Sequence, residues 1–270
     1  MAASRIARAP DPSRTALVTG ASSGIGAALA PLFARDGWHL VLVARTVAPM
    51  EALGARLARD HGVRVTVIAS DLSAPGAAAR LVAELDRRGI AIDALVNNAG
   101  FGLHGAHATS DAAELSRMLA VNVVALTELT RALLPGMLAR GHGRVLNLGS
   151  VGSFVPGPFM AVYYASKAYV LSYSEALAEE LAGSGVTVTA LCPGLTRTGF
   201  QARAGLTRPN ASHGPHVADV ESVARAGYAA MLRGARVEVP GFLNKLATQF
   251  PRFTPRWLVT AAVKRVQAAR

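Results

Sequence analysis

Short apolar runs recur along the chain, and longer stretches rich in alanine and leucine separate them. The runs are almost continuously apolar, as strands buried on both faces of a sheet are, whereas the stretches between them have helical patterns. Seven runs fit this description: residues 16–18, 39–44, 63–69, 94–96, 144–148, 186–191 and 236–239. Strands that alternate with helices predict an α/β fold, a doubly wound parallel sheet of about seven strands with helices on both faces.

The same pattern divides the chain into an arm, one domain and a tail. Residues 1–13 contain Pro10 and Pro12, which break any helix and predict a disordered N-terminal arm. Residues 14–241 hold all the runs without an internal repeat or a linker, so they are predicted to form a single domain. Residues 242–270 are predicted to form a helical C-terminal tail.

This tail is amphipathic and basic. Its apolar residues fall at alternating three- and four-residue steps, at Leu243, Leu246, Phe250, Phe253 and Trp257. Pro251 and Pro255 interrupt a single helix, so two short helical pieces are predicted. Residues 231–270 contain eight basic residues and one acidic residue, which resembles a segment that lies on a membrane surface. The favoured alternative is a strip that packs on its own domain or on a dimer partner.

The formal net charge of +11 is concentrated at the two ends of the chain. Residues 15–230 carry 17 basic and 15 acidic residues, so binding to nucleic acid is not expected. The single cysteine, Cys192, excludes an internal disulfide and indicates a structural role. The sequence shows neither a signal peptide nor an apolar run of ~18 residues, so a cytoplasmic protein is expected. The histidines lack the spacing of a metal site, and no metal is predicted.

A glycine-rich turn follows the first apolar run. Thr19-Gly20-Ala21-Ser22-Ser23-Gly24-Ile25-Gly26 leads directly into an alanine-rich helical pattern. A strand, a glycine turn and a helix together form a phosphate-binding unit, because glycines let the backbone approach a pyrophosphate and a helix N-terminus favours its charge. The turn therefore predicts a dinucleotide site.

A tyrosine and a lysine lie four residues apart in Tyr163-Tyr164-Ala165-Ser166-Lys167. The pair lies on one face of a predicted helix, in a chain that has only three lysines against 25 arginines. A cation beside a phenol is expected to lower the phenol pKa, which suits a general acid. The alternative for an isolated pair is a packed ring beside a solvated charge. Tyr164 has no lysine four residues on and is not expected to be catalytic.

Further motifs occur in order along the chain, three before the tyrosine–lysine pair and one after it. They are Asn97-Asn98-Ala99-Gly100, Asn122 within Ala120-Val121-Asn122-Val123, Ser150 thirteen positions before Tyr163, and Pro193-Gly194-Leu195-Thr196-Arg197-Thr198. With the Thr-Gly-x-x-x-Gly-x-Gly turn, they resemble the short-chain dehydrogenase/reductase family, from about Ala16 to about Gly241. The resemblance implies a Rossmann-type fold and an oxidoreductase that acts on C=O and CH–OH groups.

The resemblance also implies roles for individual residues. Tyr163 would protonate the developing alkoxide after pro-S hydride transfer to a ketone. Ser150 would donate a hydrogen bond to the carbonyl oxygen, and Lys167 would lower the phenol pKa and hold the nicotinamide ribose. Asn122 would hold a water molecule that links Lys167 to solvent. Cofactor contacts are expected at Gly20, Ser22, Ser23, Gly24, Ile25, Gly26, Arg45, Asp71, Leu72, Asn98, Ala99, Gly100, Tyr163, Lys167, Pro193, Gly194 and Thr198.

The cofactor is predicted to be NADP(H). The second strand run ends at Arg45, where an NAD enzyme of this type would offer a carboxylate to the ribose, and the guanidinium could instead bind a 2′-phosphate. Asp71 resembles the family's adenine contact. It could also be the N-cap of the helix that contains residues 77–85, as could Ser73.

The substrate is less well defined by the sequence. Residues 199–217 occupy the position of a mobile lid. An apolar pocket is expected from Phe101, Leu103, Phe154, Val155, Phe159 and Met160. Such a pocket suits a hydrophobic ketone, for example a 3-oxoacyl or steroid-like compound. The alternatives are a non-catalytic NADP-binding regulator and a membrane-surface enzyme that acts on lipids. A homodimer or homotetramer is expected.

Overall fold

One parallel sheet forms the centre of the molecule. The computed structural model describes residues 14–206 and 217–268; the arm predicted for residues 1–13 and residues 207–216 of the predicted lid lie outside the described part. Within that part, the strands are β1 (Thr15–Thr19), β2 (His39–Ala44), β3 (Val65–Ala69), β4 (Ala94–Asn97), β5 (Gly143–Leu148), β6 (Val186–Leu191) and β7 (Val237–Glu238). Each lies at one of the seven predicted runs, so the predicted fold class is confirmed.

The strand order creates a crevice at one edge of the sheet. The order is β3-β2-β1-β4-β5-β6-β7, and all pairs are parallel. The chain therefore reverses its direction of winding between β1 and β4, which are direct neighbours. In an open parallel sheet, ligands bind beyond the carboxyl ends of the strands at this switch point.

Helices cover both faces of the sheet. They are α1 (Gly24–Arg35), α2 (Val47–His61), α3 (Ala77–Arg87), α4 (Ala112–Leu119), α5 (Leu126–Ala139), α6 (Ala161–Glu180), α7 (Phe200–Arg203), α8 (Val220–Arg233), α9 (Phe242–Gln249) and α10 (Arg256–Ala268). Leu29, Met50 and Tyr228, from α1, α2 and α8, belong to one core cluster. Leu129 and Leu177, from α5 and α6, belong to a second cluster that also contains residues of α3. The two clusters are the two faces that the sequence predicts.

A π-helical turn, Ala120–Ala125, joins α4 to α5. In the described part of the chain, the resulting stretch Ala112–Ala139 is the one helix that by length and apolarity could cross a membrane. Core helices of soluble proteins have the same properties, and Ala125, Leu129 and Met137 are buried in a core cluster here. One face of the stretch therefore packs in the core of the domain.

The C-terminal tail forms two helices, as its prolines predict. A 3₁₀ turn, Phe250–Phe253, separates α9 from α10. The apolar strip does not pack on its own domain, which was the first part of the favoured alternative. The exposed fraction lies between 61% and 87% for Phe242 and for the five strip residues, Leu243, Leu246, Phe250, Phe253 and Trp257.

Candidate active site

A cavity of about 360 Å³ opens at the carboxyl ends of the strands. Its lining brings together the predicted catalytic and cofactor residues from seven separate segments of the chain, with two exceptions. Gly26 and Asn122 are not among the lining residues. Both lie close behind the wall, where they position residues that do line the cavity.

The glycine turn is fixed by contacts with the loop that follows β4. Gly20 has a φ of 65°, and a Cβ there would lie 2.7 Å from Asn98 Nδ2. A Cβ on Gly26 would lie 2.5 Å from Asn98 Nδ2 and 2.6 Å from the Gly20 carbonyl oxygen. Only glycine therefore fits at these positions. The turn leads directly into the N-terminus of α1, whose main-chain N–H groups favour an anionic ligand.

Asn98 holds this turn with its side chain. Its Nδ2 donates to the carbonyl oxygens of Thr19, at 2.8 Å, and Gly20, at 3.2 Å. The Thr19 hydroxyl in turn accepts from the main-chain N–H groups of Asn98 and Ala99, each at 3.0 Å. Asn98 lines the cavity as predicted, but its carboxamide donors are directed at protein backbone. The structure thus indicates a supporting role for Asn98.

Tyr163 lines the cavity and is the third residue of α6. The residue is buried, and its hydroxyl is hydrogen bonded with that of Ser150. Burial raises the pKa of Tyr163 to about 12, although the Ser150 hydrogen bond acts in the opposite direction. The Ser150 oxygen also accepts from the Gly152 main-chain N–H at 3.0 Å. Ser150 is therefore both a turn serine and a neighbour of the phenol.

Lys167 is buried one helical turn further along α6. Its Nζ donates to the Leu148 carbonyl oxygen at 2.6 Å and lies 6.0 Å from the centroid of the Tyr163 ring. Burial lowers the pKa of Lys167 to about 8. The expectation that this cation lowers the phenol pKa is not met in the structure, because burial has the largest effect on the phenol pKa and Lys167 is not among the groups that shift it. The phenol pKa is raised, and the Tyr163 hydroxyl is protonated at neutral pH.

Asn122 lies in the π-helical turn and is buried. Its Oδ1 accepts from the Phe101 main-chain N–H at 3.1 Å, and its Nδ2 donates to the Phe101 carbonyl oxygen at 3.0 Å and to Ser166 Oγ at 3.1 Å. A Cβ on Gly100 would lie 2.9 Å from Asn122 Oδ1 and 3.5 Å from Lys167 Nζ. The side chain therefore ties the loop after β4 to α6, beside the lysine. Its predicted water-holding role stays a prediction.

The far end of the cavity, next to β2 and β3, is polar. Arg45 is exposed there, directly after β2, as predicted. Burial acts to raise the pKa of Asp71, but hydrogen bonds from Ser73 and the charges of Arg45 and Arg117 outweigh it and lower that pKa. The helix N-cap predicted at Asp71 or Ser73 is wrong, because the N-cap of α3 is Gly76. Asp71 instead closes a turn by accepting from Ser73 N at 3.0 Å.

Arg117 was missed by the sequence prediction. It lies on α4, lines the same polar end of the cavity and has an N–O distance of 3.6 Å to Asp71. One arginine among 25 has no local signal that marks it as part of a site. Only the packing of α4 beside the loop after β3 brings it there.

The segment after β6 forms the opposite wall. The Val151 N–H donates to the Pro193 carbonyl oxygen at 3.0 Å, and a Cβ on Gly194 would lie 2.7 Å from Asn244 Nδ2 of α9. A Cβ on Gly24 would lie 3.4 Å from Thr198 Cγ2, so Thr198 reaches across to the glycine turn. The two predicted cofactor segments thus face each other over the crevice.

The wall around Tyr163 is largely apolar, but its composition differs from the prediction. Phe101 and Met160 line the cavity as expected. Leu103, Phe154, Val155 and Phe159 are not among the lining residues; Leu103 and Phe154, for example, pack against core clusters. Their places are taken by residues that the sequence did not single out: Tyr164, Phe200, Gln201, Leu206 and Gln267. The Phe200 ring lies 5.3 Å from the Tyr163 ring and belongs to the described part of the predicted lid.

Several known proteins are similar to this chain in sequence or in structure. The family model described as short chain dehydrogenase matches residues 14–208. A ketoacyl reductase from Nostoc sp. is 33% identical over 197 residues, which cover 73% of this chain and 68% of that protein. A short-chain dehydrogenase from Sphingobium yanoikuyae, solved in complex with NADPH, is 39% identical with a TM-score of 0.79, and the match covers 85% of this chain and 88% of that one.

A second solved structure, a bulky-bulky ketone specific alcohol dehydrogenase from Comamonas testosteroni, is 34% identical with a TM-score of 0.77. That match covers 90% of this chain and 92% of the other. The family match spans well over half of the chain and includes the glycine turn, Ser150, Tyr163 and Lys167. The chain belongs to the short-chain dehydrogenase family of oxidoreductases.

Proposed function

We propose that the chain is a carbonyl reductase that uses NADP(H) to convert a hydrophobic ketone into a secondary alcohol, with Tyr163 as the proton donor. The observation that carries the proposal is the buried, protonated Tyr163 phenol, hydrogen bonded with Ser150, in one cavity with a glycine turn that leads into a helix N-terminus, an arrangement that favours a phosphate-bearing ligand. A substrate bound in this cavity would lie between the Tyr163 hydroxyl and a dinucleotide held by the glycine turn.

The residues present fit an NADP(H) cofactor. Gly20 and Gly24 line the cavity at the N-terminus of α1, where main-chain N–H groups can bind a pyrophosphate. Arg45 stands exposed at the end of β2, where it can pair with a 2′-phosphate in a charge-assisted contact. Asp71 lies close enough for its pKa to be lowered by Arg45, and its carboxylate can accept from the adenine amino group. The solved relative with NADPH supports the same choice.

Each side chain has a separate task during reduction. The bound cofactor supplies the hydride. The Tyr163 hydroxyl gives its proton to the oxygen of the ketone as the C–H bond forms, and its raised pKa keeps that proton available at neutral pH. The Ser150 hydroxyl donates to the same oxygen, since its own oxygen is already held by Gly152 N–H. The Lys167 ammonium remains beside them to hold the ribose and to balance the phenolate.

Apolar contacts favour a hydrophobic ketone. Phe101, Met160, Phe200 and Leu206 line the cavity near the phenol, and a water-poor wall of this kind binds hydrocarbon better than a sugar. The names of two relatives, the ketoacyl reductase and the alcohol dehydrogenase for bulky-bulky ketones, are consistent with this class.

The test is a panel of aliphatic, aromatic, 3-oxoacyl and steroid ketones, assayed for oxidation of NADPH and of NADH. We expect turnover with NADPH, and we expect Tyr163→Phe to lower kcat by about 10²–10⁴-fold, the usual contribution of a general acid. Tyr169→Phe, an exposed tyrosine of the same helix α6 that does not line the cavity, is the matched control. Tight NADPH binding without turnover of any ketone would instead support a regulatory protein.

The C-terminal strip supports a second proposal, that the tail binds an anionic lipid surface. Phe242 and the strip residues Leu246, Phe250, Phe253 and Trp257 are each more than half exposed. Residues 242–270 contain six basic residues and no acidic residue. A symmetric pairing of two copies through this strip would bring like charges together, whereas an anionic membrane complements both the charge and the apolar side chains.

Flotation with vesicles tests this proposal. The full chain should float with vesicles that contain phosphatidylserine and not with phosphatidylcholine alone, while Phe250→Ser/Phe253→Ser should remain in the pellet. Both substitutions lie on exposed positions, so the fold should be unaffected. Failure of the full chain to float, together with a concentration-dependent dimer that the double variant abolishes, would show that a second copy covers the strip.

A further inference from the structure

Gln267 is the buried end of an otherwise exposed helix. Only 1% of Gln267 is accessible, whereas its neighbour Val266 is 54% exposed. The side chain lines the same cavity as Tyr163, although it lies about a hundred residues later in the chain. The tail therefore returns to the catalytic cavity at this single residue of α10.

Two contacts hold this end of α10 in place. The Gln267 carbonyl oxygen lies 3.1 Å from His104 Nε2, on the loop after β4. Its side-chain Nε2 donates to the Tyr164 hydroxyl. The Tyr164 ring packs edge-on against the Tyr163 ring, with 5.9 Å between centroids. The carboxamide of Gln267 therefore contacts Tyr164 and lines the same cavity as Tyr163.

The oxygen of this carboxamide has no hydrogen-bond partner in the described part of the chain. This atom, Gln267 Oε1, is also buried. An amide carries both acceptor and donor groups, so turning it over would leave the nitrogen unpaired in place of the oxygen. A buried polar atom without a partner is unfavourable, and a ligand that supplies the missing hydrogen bond removes that cost.

We propose that Gln267 is a specificity-determining residue, which binds a hydroxyl group of the substrate at a second point away from the reacting carbonyl. A hydroxyl can both donate and accept, so it satisfies the carboxamide in either orientation. The substrate class is thus a hydrophobic ketone that carries a hydroxyl within reach of the Tyr163–Tyr164 pair. This inference rests on the proposed reduction of a ketone in this cavity.

A role in stability alone would give a different result. If Gln267 only anchors the end of α10 to His104 and Tyr164, its replacement would affect all substrates equally. If it binds a substrate hydroxyl, its replacement would affect only substrates that have one. A site that hydrogen bonds a hydroxyl discriminates strongly against the analogue without it, because the site's own polar atoms are then left unpaired.

The test compares tetralone with a set of ring-hydroxylated tetralones. These isomeric derivatives place the hydroxyl at different distances from the carbonyl. For the best isomer we expect the native chain to show at least about a tenfold higher kcat/KM than for tetralone, the value of one such hydrogen bond. Gln267→Leu should reduce this ratio of kcat/KM values to about one, mainly through a higher KM for the hydroxylated compound. Val266→Ala, at the exposed neighbouring position, is the matched control.

Two outcomes would overturn the inference. The first is that Gln267→Leu lowers kcat/KM by the same factor for tetralone and for every hydroxylated isomer. The second is a native chain without preference for any isomer. Tetralone reduction by the native chain tests the proposed function separately. If no ketone is reduced, calorimetric binding of the mono-alcohol and diol products to the native and Gln267→Leu chains decides whether Gln267 recognises the hydroxyl.

Discussion

At the scale of single residues, burial sets the charge of the two ionisable groups nearest the reaction. Burial raises the pKa of Tyr163 to about 12 and lowers that of Lys167 to about 8, because a charge is disfavoured in both places. At neutral pH the phenol is therefore neutral and the lysine is still mostly an ammonium ion. This is the pair of protonation states that ketone reduction requires.

The Lys167 pKa predicts how activity depends on pH. Its folded pKa is lowered, so the ammonium is present below about pH 8 and is lost as the pH rises through that value. We expect kcat/KM for NADPH, which reports groups of the free enzyme, to be level below pH 8 and to fall about tenfold per unit well above it.

Lys167→Arg provides the control for this profile, because arginine keeps its charge throughout this pH range. The variant should be less active but should lack the fall above pH 8. A fall that persists in Lys167→Arg would mean that another group controls the profile.

Arg45 predicts the choice of cofactor. Hydrogen bonds to charged groups contribute about 1.5–3 kcal/mol, so Arg45→Ala should weaken NADPH binding by about 10–100-fold and leave NADH binding unchanged. Fluorescence titration of both cofactors measures this. Arg56→Ala, an exposed arginine of α2, should change neither. An equal loss for both cofactors would place the Arg45 contact elsewhere than on the 2′-phosphate.

At the scale of elements, a buried polar network joins the central strands to the helices beneath them. Asn97 Nδ2 of β4 donates to Thr130 Oγ1, at 3.0 Å, and to Asn147 Oδ1 of β5, at 2.9 Å. Asn147 Nδ2 donates to Ser174 Oγ of α6 at 2.9 Å. The network lies directly below Ser150 and the loop after β4. It therefore ties the strands that lead to Ser150 and to the loop after β4 to the helices beneath them.

Two substitutions on adjacent strands test this network. Asn147→Leu should destabilise the chain by about 1–3 kcal/mol, because it leaves buried partners unsatisfied. Thr189→Val on β6 should be neutral or stabilising by up to about 1 kcal/mol, since the buried Thr189 hydroxyl has no partner among the described residues. Urea unfolding of both variants gives the free energies. A larger loss for Thr189→Val than for Asn147→Leu would contradict this account.

At the scale of the whole molecule, the tail connects the surface to the cavity. Its apolar strip is exposed, while α9 touches Gly194 through Asn244 and α10 reaches the cavity through Gln267. A tail bound to a lipid surface would therefore place the substrate opening close to that surface. The expected homo-oligomer stays a prediction, as do the boundaries at residues 14 and 241.

The fold was predictable to a large extent, because its signals are local. Each strand run, the glycine turn and the Tyr163–Lys167 pair lie within one element or one turn, where periodicity and spacing carry the information. The pocket wall was less predictable. Leu103 and Phe154 have the same apolar character as Phe101 and Met160, and only packing decides which of them faces the cavity.

Residues close together in the chain were enough to predict the parallel α/β architecture, which the structure confirms. They also predict a phosphate-binding turn and Tyr163 as the proton donor, and both stay predictions. The tertiary structure decided what depends on distant contacts. Asn98 supports a turn 78 residues away, and His104 meets Gln267 across 163 residues. Burial, which reverses the expected pKa shift of Tyr163, is likewise a property of the packed molecule, because it depends on every element that excludes water from the site.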